Sequence, residues 1–486
     1  MSLIFKNKLL HFLQWIRQNK LLVLIIFLFC SLYGFLVIYR HLNFQTHAND
    51  LGIYDQAIWL YSKFKLPFST VRQPNIMLLG DHFHPILLLF VPFYWIWSDA
   101  RMLLILQVIL VVLSVIPIYL IAEDKFKNRF FSLSLTFTYL TFSGLQSALN
   151  FDFHVATISV FFLSWLLYFY YYNKSRWLWV FLVLTLICKE DMALVCLMLG
   201  LYDIFFKKNY LRGSLITLIS GFTFILFIKI ISPLYNPTPS TYIQTIIPGN
   251  SLSEQIQYII RNPSEIITLF FTPSVKTQTM NLSLIPFLYL PLISPFFLFL
   301  SLPLFLERFL SIYATRWEIG FHYSANIAPL LGFGLIYGVS NILEFLRKKG
   351  IRISKRQLYN YISIMIIIVS VGITFSENTF LSWLWNKELR LNTIGQKNIA
   401  EIIKIIPKDA SLTAQSALVP HLSQREKIYF YPNGVDIAEY ILVSKEVEAY
   451  PYIETELTEE IKKMRINTDF KLILEVDETY LFQRIN

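Results

Sequence analysis

The chain has 486 residues, 55% of them hydrophobic and 15% charged, with a net charge of +10 at neutral pH. A soluble domain carries about a quarter charged residues; this composition excludes one and directs attention to apolar runs of about 20 residues, the length of a membrane-crossing helix. Lys and Arg gather between those runs, as cytoplasmic loops require, so the positive balance is no ground for nucleic-acid binding.

The first run, 21–39, follows Lys6, Lys8, Arg17 and Lys20. It is too long for a signal-peptide core and no small-residue cleavage site follows it, which predicts an uncleaved anchor with a cytoplasmic N-terminus. Cys30, Cys188 and Cys196 lie in apolar stretches. They read as small core hydrophobes, with neither disulfide nor zinc spacing.

Further apolar stretches occupy 83–97, 102–122, 130–149, 154–172, 177–206, 211–231, 282–306, 325–343 and 359–375. The basic connections at 123–129, 173–176, 207–212 and 347–356 belong in the cytoplasm. To bring 123–129 inside, only one full crossing fits between 83 and 122. Residues 83–97, with Pro85 and Pro92, are then re-entrant or lie along the surface; the alternative is two crossings there. The run 177–206 must start and finish inside, so it breaks at Lys189–Glu190–Asp191, three ionisable groups that a bilayer centre tolerates poorly. Four prolines in 282–306 predict short or broken helices there. The count is about eleven crossings, with 40–82 and 232–280 as external loops and the C-terminus outside.

That bookkeeping uses only Lys, Arg and run lengths, yet it puts several polar turns on one side, where loop residues can gather into one cavity. In HANDLGIYDQAIW (47–59), Asn49–Asp50 could cap a helix beginning near Leu51. Alternatively one carboxylate acts as a general base, with Asp55 supporting and Tyr54 forming a wall. In GDHFHP (80–85), His82 and His84 at i, i+2 point the same way in an extended segment, which suits a metal, a phosphate or a sugar hydroxyl; polar anchoring at the interface is the plain alternative. Asp152 and His154 in FDFH repeat that chemistry, or simply turn between helices. Lys189 either pairs with Glu190 or Asp191, or holds an anionic phosphate as a point charge. Arg308, Arg316, His322 and Tyr323 lie in a second polar stretch that could serve a phosphate.

Residues 376–486 are more polar. An amphipathic helix over 398–407, strands over 427–431, 439–444 and 470–476, and a charged helix over 456–464 predict a small α/β domain, external by the same parity.

The stretches 50–59, 79–89, 150–157, 188–194, 321–330 and 406–429 resemble a family of prokaryotic polytopic membrane proteins known only as a domain of unknown function. That family is similar to the GT-C glycosyltransferases, such as protein mannosyltransferases and aminoarabinose transferases, which use polyprenyl-phosphate sugars. The resemblance implies that Asp50 occupies the place of their acidic residue beside the first helix, with Tyr54 following it. It likewise implies that His84–Pro85 stands for part of their His-Pro-Pro stretch, with Ile86 in place of the second proline, and that Lys189 stands for their outer-boundary lysine.

The expected protein is thus mainly α, a polytopic transmembrane bundle of GT-C type over 1–375 with an extracytoplasmic α/β domain over 376–486, in the plasma membrane. The expected function is sugar transfer from a polyprenyl-phosphate donor to an acceptor hydroxyl at the outer face. Asp50 is the catalytic candidate; Tyr54, Asp55, His82, His84, Asp152, His154, Lys189, Glu190, Asp191, Arg308, His322 and Tyr323 are the substrate-binding candidates. A divalent metal stands as an open cofactor candidate, and lipid as a partner. A transporter, flippase or lipid-binding scaffold is the alternative, against which no repeated half is visible.

Overall fold

The computed structural model describes residues 10, 13–72, 76–236, 245–249, 251–376, 378–386, 389 and 393–485. Lys6, Lys8 and parts of both expected loops lie outside them.

Among the described residues, five helices are long and apolar enough to cross a membrane: Lys20–Leu42, Ala100–Phe126, Tyr210–Tyr235, His322–Lys348 and Lys355–Ser376. In the first, Phe29, Tyr33, Leu36, Val37 and Arg40 are buried. That i, i+3, i+4 spacing puts them on one face, while Leu24, Phe27 and Leu28 are exposed and left for lipid. Shorter apolar helices, Val155–Tyr171 and Ser175–Leu186, pack beside them.

The breaks fall where the chemistry demands them. The apolar run from 177 is cut between Leu186 and Glu190, with Lys189 extended (φ −163°, ψ 152°) at the head of the Glu190–Tyr202 helix. Around Pro286 and Pro291 the chain forms two short 3-10 turns separated by Leu288 and Tyr289 at positive φ, and the Pro295–Phe309 helix starts after them. Residues 85–96 form a 3-10 turn, Pro85–Phe90, then a six-residue helix, Val91–Ile96. Together these span about 20 Å, too short to cross a hydrocarbon core of about 30 Å.

The C-terminal part is a five-stranded sheet. Its strands lie in the spatial order Ile428–Phe430, Leu412–Ala414, Tyr440–Ser444, Thr479–Arg484, Phe470–Val476; the first three are parallel and the rest antiparallel. Alternate strand residues face opposite ways. Leu412, Ala414 and Leu442 therefore join the large core that continues into the helices, while Ile441 and Val443 pack with Leu457 and Ile461 of the Glu454–Ile466 helix. One face of the sheet is thus fused to the bundle, directly over the loop that carries Asp50.

Candidate active site

The first helix ends in Arg40 and His41, and the chain turns back on itself. Arg40 Nη1 donates to Asp152 Oδ1 at 2.7 Å, and Nη2 donates to the Gln45 carbonyl. Residues 48–52 follow as an irregular turn in which Asp50 sits at φ 69°, ψ −87°. A non-glycine residue held there costs about 1–3 kcal/mol and persists only where its surroundings over-determine it. The next helix begins at Ile53 with Gly52 as its cap and no side-chain cap bond, so the helix-capping role open to Asp50 in the sequence is not realised. Its carboxylate is 21% exposed and its Oδ1 lies 4.0 Å from His154 Nε2. Burial, and after it the like charge of Asp152, push the Asp50 carboxyl up to about 7, against the pull of His82, Arg72 and Lys189.

His154 is aimed by its backbone. Asp152, at φ 81°, forms the turn before the Val155–Tyr171 helix. Its carboxylate is held by Arg40 and by the His47 N–H at 2.8 Å, and its carbonyl accepts from Gln107 Nε2 at 2.7 Å. Gln107 Oε1 in turn accepts the His154 N–H. His154 Nδ1 accepts the Ala156 N–H at 3.0 Å, so the proton must sit on Nε2, the nitrogen nearest Asp50. The His154 ring stacks on His322, centroids 3.6 Å apart. Asp152 is therefore an anchor for this turn, and its carboxylate is already engaged on both oxygens.

The GDHFHP turn docks on the Lys189–Glu190–Asp191 break. His82 Nδ1 bonds Glu190 Oε1 at 2.6 Å, and the Phe83 N–H donates to Glu190 Oε2 at 2.8 Å. Burial works against charging His82, but Glu190 and Asp81 outweigh it and raise its pKa. The His84 ring lies 6.1 Å from that of His82 and meets Tyr54 edge-on at 5.5 Å; Tyr54 also meets His154 edge-on. Burial, then His82, lower His84 to about 3; it is neutral, and its buried Nε2 has no hydrogen-bond partner among the described residues. Glu190 is spent on clamping this turn.

Lys189 Nζ lies 3.7 Å from Asp191 Oδ2, which also accepts from Asn326 Nδ2 at 3.2 Å. Among the described residues, Asp191 Oδ1 and His322 Nδ1 are buried without hydrogen-bond partners. Such atoms are rare in folded proteins; here they fall in the same polar cluster as His84 Nε2. Arg308 behaves otherwise than expected. Its Nε, Nη1 and Nη2 donate to the Arg316 carbonyl, Ser324 Oγ and the Glu318 carbonyl at 2.5, 2.6 and 2.8 Å. It fastens the 316–324 loop that presents Arg316, His322 and Tyr323. Arg316 in turn pairs with Glu307 at 3.1 Å.

Lys189, Asp191, Glu307, Arg308, Arg316 and Tyr323 border a void of only about 20 Å³, room for about one water, with Lys189 drawn toward Asp191 and Arg316 toward Glu307. Asp55 is fully buried and takes hydrogen bonds from Tyr94 Oη (2.5 Å), Ser423 Oγ (2.6 Å) and Gln424 Nε2 (3.2 Å). It ties the Ile53–Ser62 helix to the C-terminal part, with a protein donor on each carboxylate oxygen. Finally, among the described residues no three His, Cys, Asp or Glu side chains are placed to hold a metal ion. Residues absent from the sequence-based set but central here are Arg40, which closes an apolar run, and Gln107, a lone amide in the middle of one.

The geometry sits on a recognisable scaffold. No curated protein sequence matches the chain. Among solved structures, ArnT from Cupriavidus metallidurans bound to undecaprenyl phosphate superposes with a TM-score of 0.52 at 10% identity, covering 97% of this chain and 98% of that one. The apo form of ArnT gives 0.53 at 10% identity over 96% and 98%. This chain therefore shares the fold of ArnT. The family model described as "Predicted membrane protein (DUF2079)" matches residues 40–478, and the chain belongs to that family.

Proposed function

We propose that this protein is a GT-C-type glycosyltransferase that moves a sugar from a polyprenyl-phosphate donor to an acceptor hydroxyl at the extracytoplasmic face of the plasma membrane. Its N-terminus is cytoplasmic, and residues 376–486 form the extracytoplasmic domain. The observation that carries the reading is Asp50: a strained carboxylate to which no described residue donates a hydrogen bond, facing His154 Nε2–H and within the field of Lys189. The fold shared with ArnT, which was crystallised with undecaprenyl phosphate, supports a lipid-phosphate donor.

Asp50 takes the proton of the acceptor hydroxyl as that oxygen attacks the anomeric carbon; the bond from that carbon to the phosphate oxygen breaks, and the lipid phosphate leaves. A base with a pKa near 7 is well matched to that task at neutral pH. Lys189 and Arg316 supply positive charge for the departing phosphate. His154 and Tyr54 position the carboxylate; His82, His84, His322 and Tyr323 line the approach. Opening of the 310–326 segment admits the donor. The acceptor approaches through the cleft of about 830 Å³ between bundle and sheet, lined by Arg40, His47, Trp383, Glu448 and Tyr452 among others.

The test is sugar transfer in proteoliposomes from a panel of polyprenyl-phosphate sugars. Asp50→Asn should fold and lose about 10²- to 10⁴-fold in rate. Transfer at the native rate would refute the base assignment.

A further inference from the structure

We infer that the end of the bundle opposite Asp50 holds a binding site for the phosphate group of an anionic lipid, in a cavity of about 370 Å³ lined by Lys125, Lys207, Arg212, Tyr170, Tyr171 and Tyr337. The inference stands whether or not Asp50 does chemistry. The two sites are separated by the Val155–Tyr171 helix, which starts beside His154 and ends at this cavity, a rise of about 25 Å.

Charge balance identifies the ligand. Arg212 is fixed: Nε and Nη2 grip Asp203 at 2.6 and 2.7 Å, and Nη1 reaches Asn173 Oδ1 at 2.5 Å. Asp203 is fully buried and also accepts from Tyr170 Oη at 2.8 Å, whose ring lies 4.8 Å from the guanidinium carbon. That single carboxylate neutralises Arg212. Lys125 Nζ lies against aromatic rings, 5.5 Å from the Tyr337 centroid and 5.9 Å from that of Tyr171. Neither Lys125 nor Lys207 has a carboxylate partner among the described residues. Two positive charges therefore share one hollow lined by tyrosines, complementary to a phosphate carrying about one to two negative charges.

The surroundings point to a lipid as the source. Phe205 and Phe206, immediately before Lys207, are 57% and 51% exposed, and Trp177 is 50% exposed. Phe205 and Phe206, next to Lys207 in the chain, offer apolar surface along which a hydrocarbon chain can lie. A basic pocket between helices at a membrane surface selects anionic headgroups, and lysine stems cover apolar surface while the ammonium reaches the headgroup.

The test uses the full-length protein in nanodiscs of phosphatidylcholine doped with phosphatidylglycerol or phosphatidic acid, with retained lipid read by native mass spectrometry. Both anionic lipids should be enriched over phosphatidylcholine. The double variant Lys125→Gln/Lys207→Gln should lose that enrichment by about thirtyfold. Lys349→Gln/Arg352→Gln, equal in charge but outside the cavity, should keep it. If the first double variant does not fold, Lys207→Gln alone, at an exposed position, should lose about fivefold. Unchanged enrichment in the cavity variants, or equal loss in both double variants, overturns the site. Inorganic phosphate is the second arm: binding of free phosphate to detergent-purified protein without retention of any anionic lipid overturns the lipid assignment.

Discussion

Ionised Asp50 should weaken the fold that holds it, and the size of that cost follows from its surroundings. Its carboxyl is raised from 3.8 to about 7, by burial first. At about 1.4 kcal/mol per pH unit, the charged form costs the folded state about 4 kcal/mol; with only 21% of the side chain exposed, solvent screening trims this only modestly. The sign follows from proton binding. The folded state holds the proton more tightly than the unfolded one, so the contribution is fully favourable below about pH 4 and is lost as pH rises through about 7. Asp50→Asn does not titrate. Its stability relative to wild type should therefore grow by about 2 to 3 kcal/mol between about pH 5 and about pH 8, as measured by equilibrium unfolding in detergent at both pH values. A difference that is flat with pH, or that shrinks, would refute the account of this carboxylate.

Comparing Asp50→Gly with Asp50→Ala isolates the backbone, since neither keeps the carboxylate. Glycine adopts φ 69° freely, so after its own entropic penalty the glycine variant should be more stable by about 1 kcal/mol in the same unfolding assay. Ser423→Ala removes a buried bond to a carboxylate and should cost about 1.5–3 kcal/mol, with faster protease cleavage in the 40–72 loop. If sugar transfer is established, kcat/KM should rise with pH through about 7 as Asp50 ionises. His82→Gln should move that rise to higher pH, because the His82 charge lowers the Asp50 pKa.

Much of the helical plan is legible in the sequence because it rests on one strong signal, apolar length. The runs at 21–39, 102–122, 211–231, 325–343 and 359–375 each fall within one of the five long helices. The break at Lys189 and the proline-broken stretch follow from the cost of burying charge and from the missing amide of proline. In the C-terminal part the expected strands at 427–431, 439–444 and 470–476 appear within a residue or so of their bounds. Leu412–Ala414 and Thr479–Arg484 escape notice. The first is three residues long and draws its stability from parallel neighbours on both sides; the second needs its antiparallel partners to declare itself. At the site, the polar turns do come together, but their division of labour is invisible locally. That Asp55 belongs to Ser423, 368 positions away, or that Gln107 bridges the Asp152–His154 turn, depends on tertiary contacts that no spacing encodes.

The grip of the C-terminal part on the Asp50 loop also governs biosynthesis. Ser416 Oγ accepts the Ala48 N–H, the Val419 side chain packs where a Cβ on Gly52 would stand, and Ile428 bonds Thr70. During translation those partners leave the ribosome more than 340 residues after the loop they fasten. A nascent chain can therefore insert its first helices before the contacts that fasten the Asp50 loop exist.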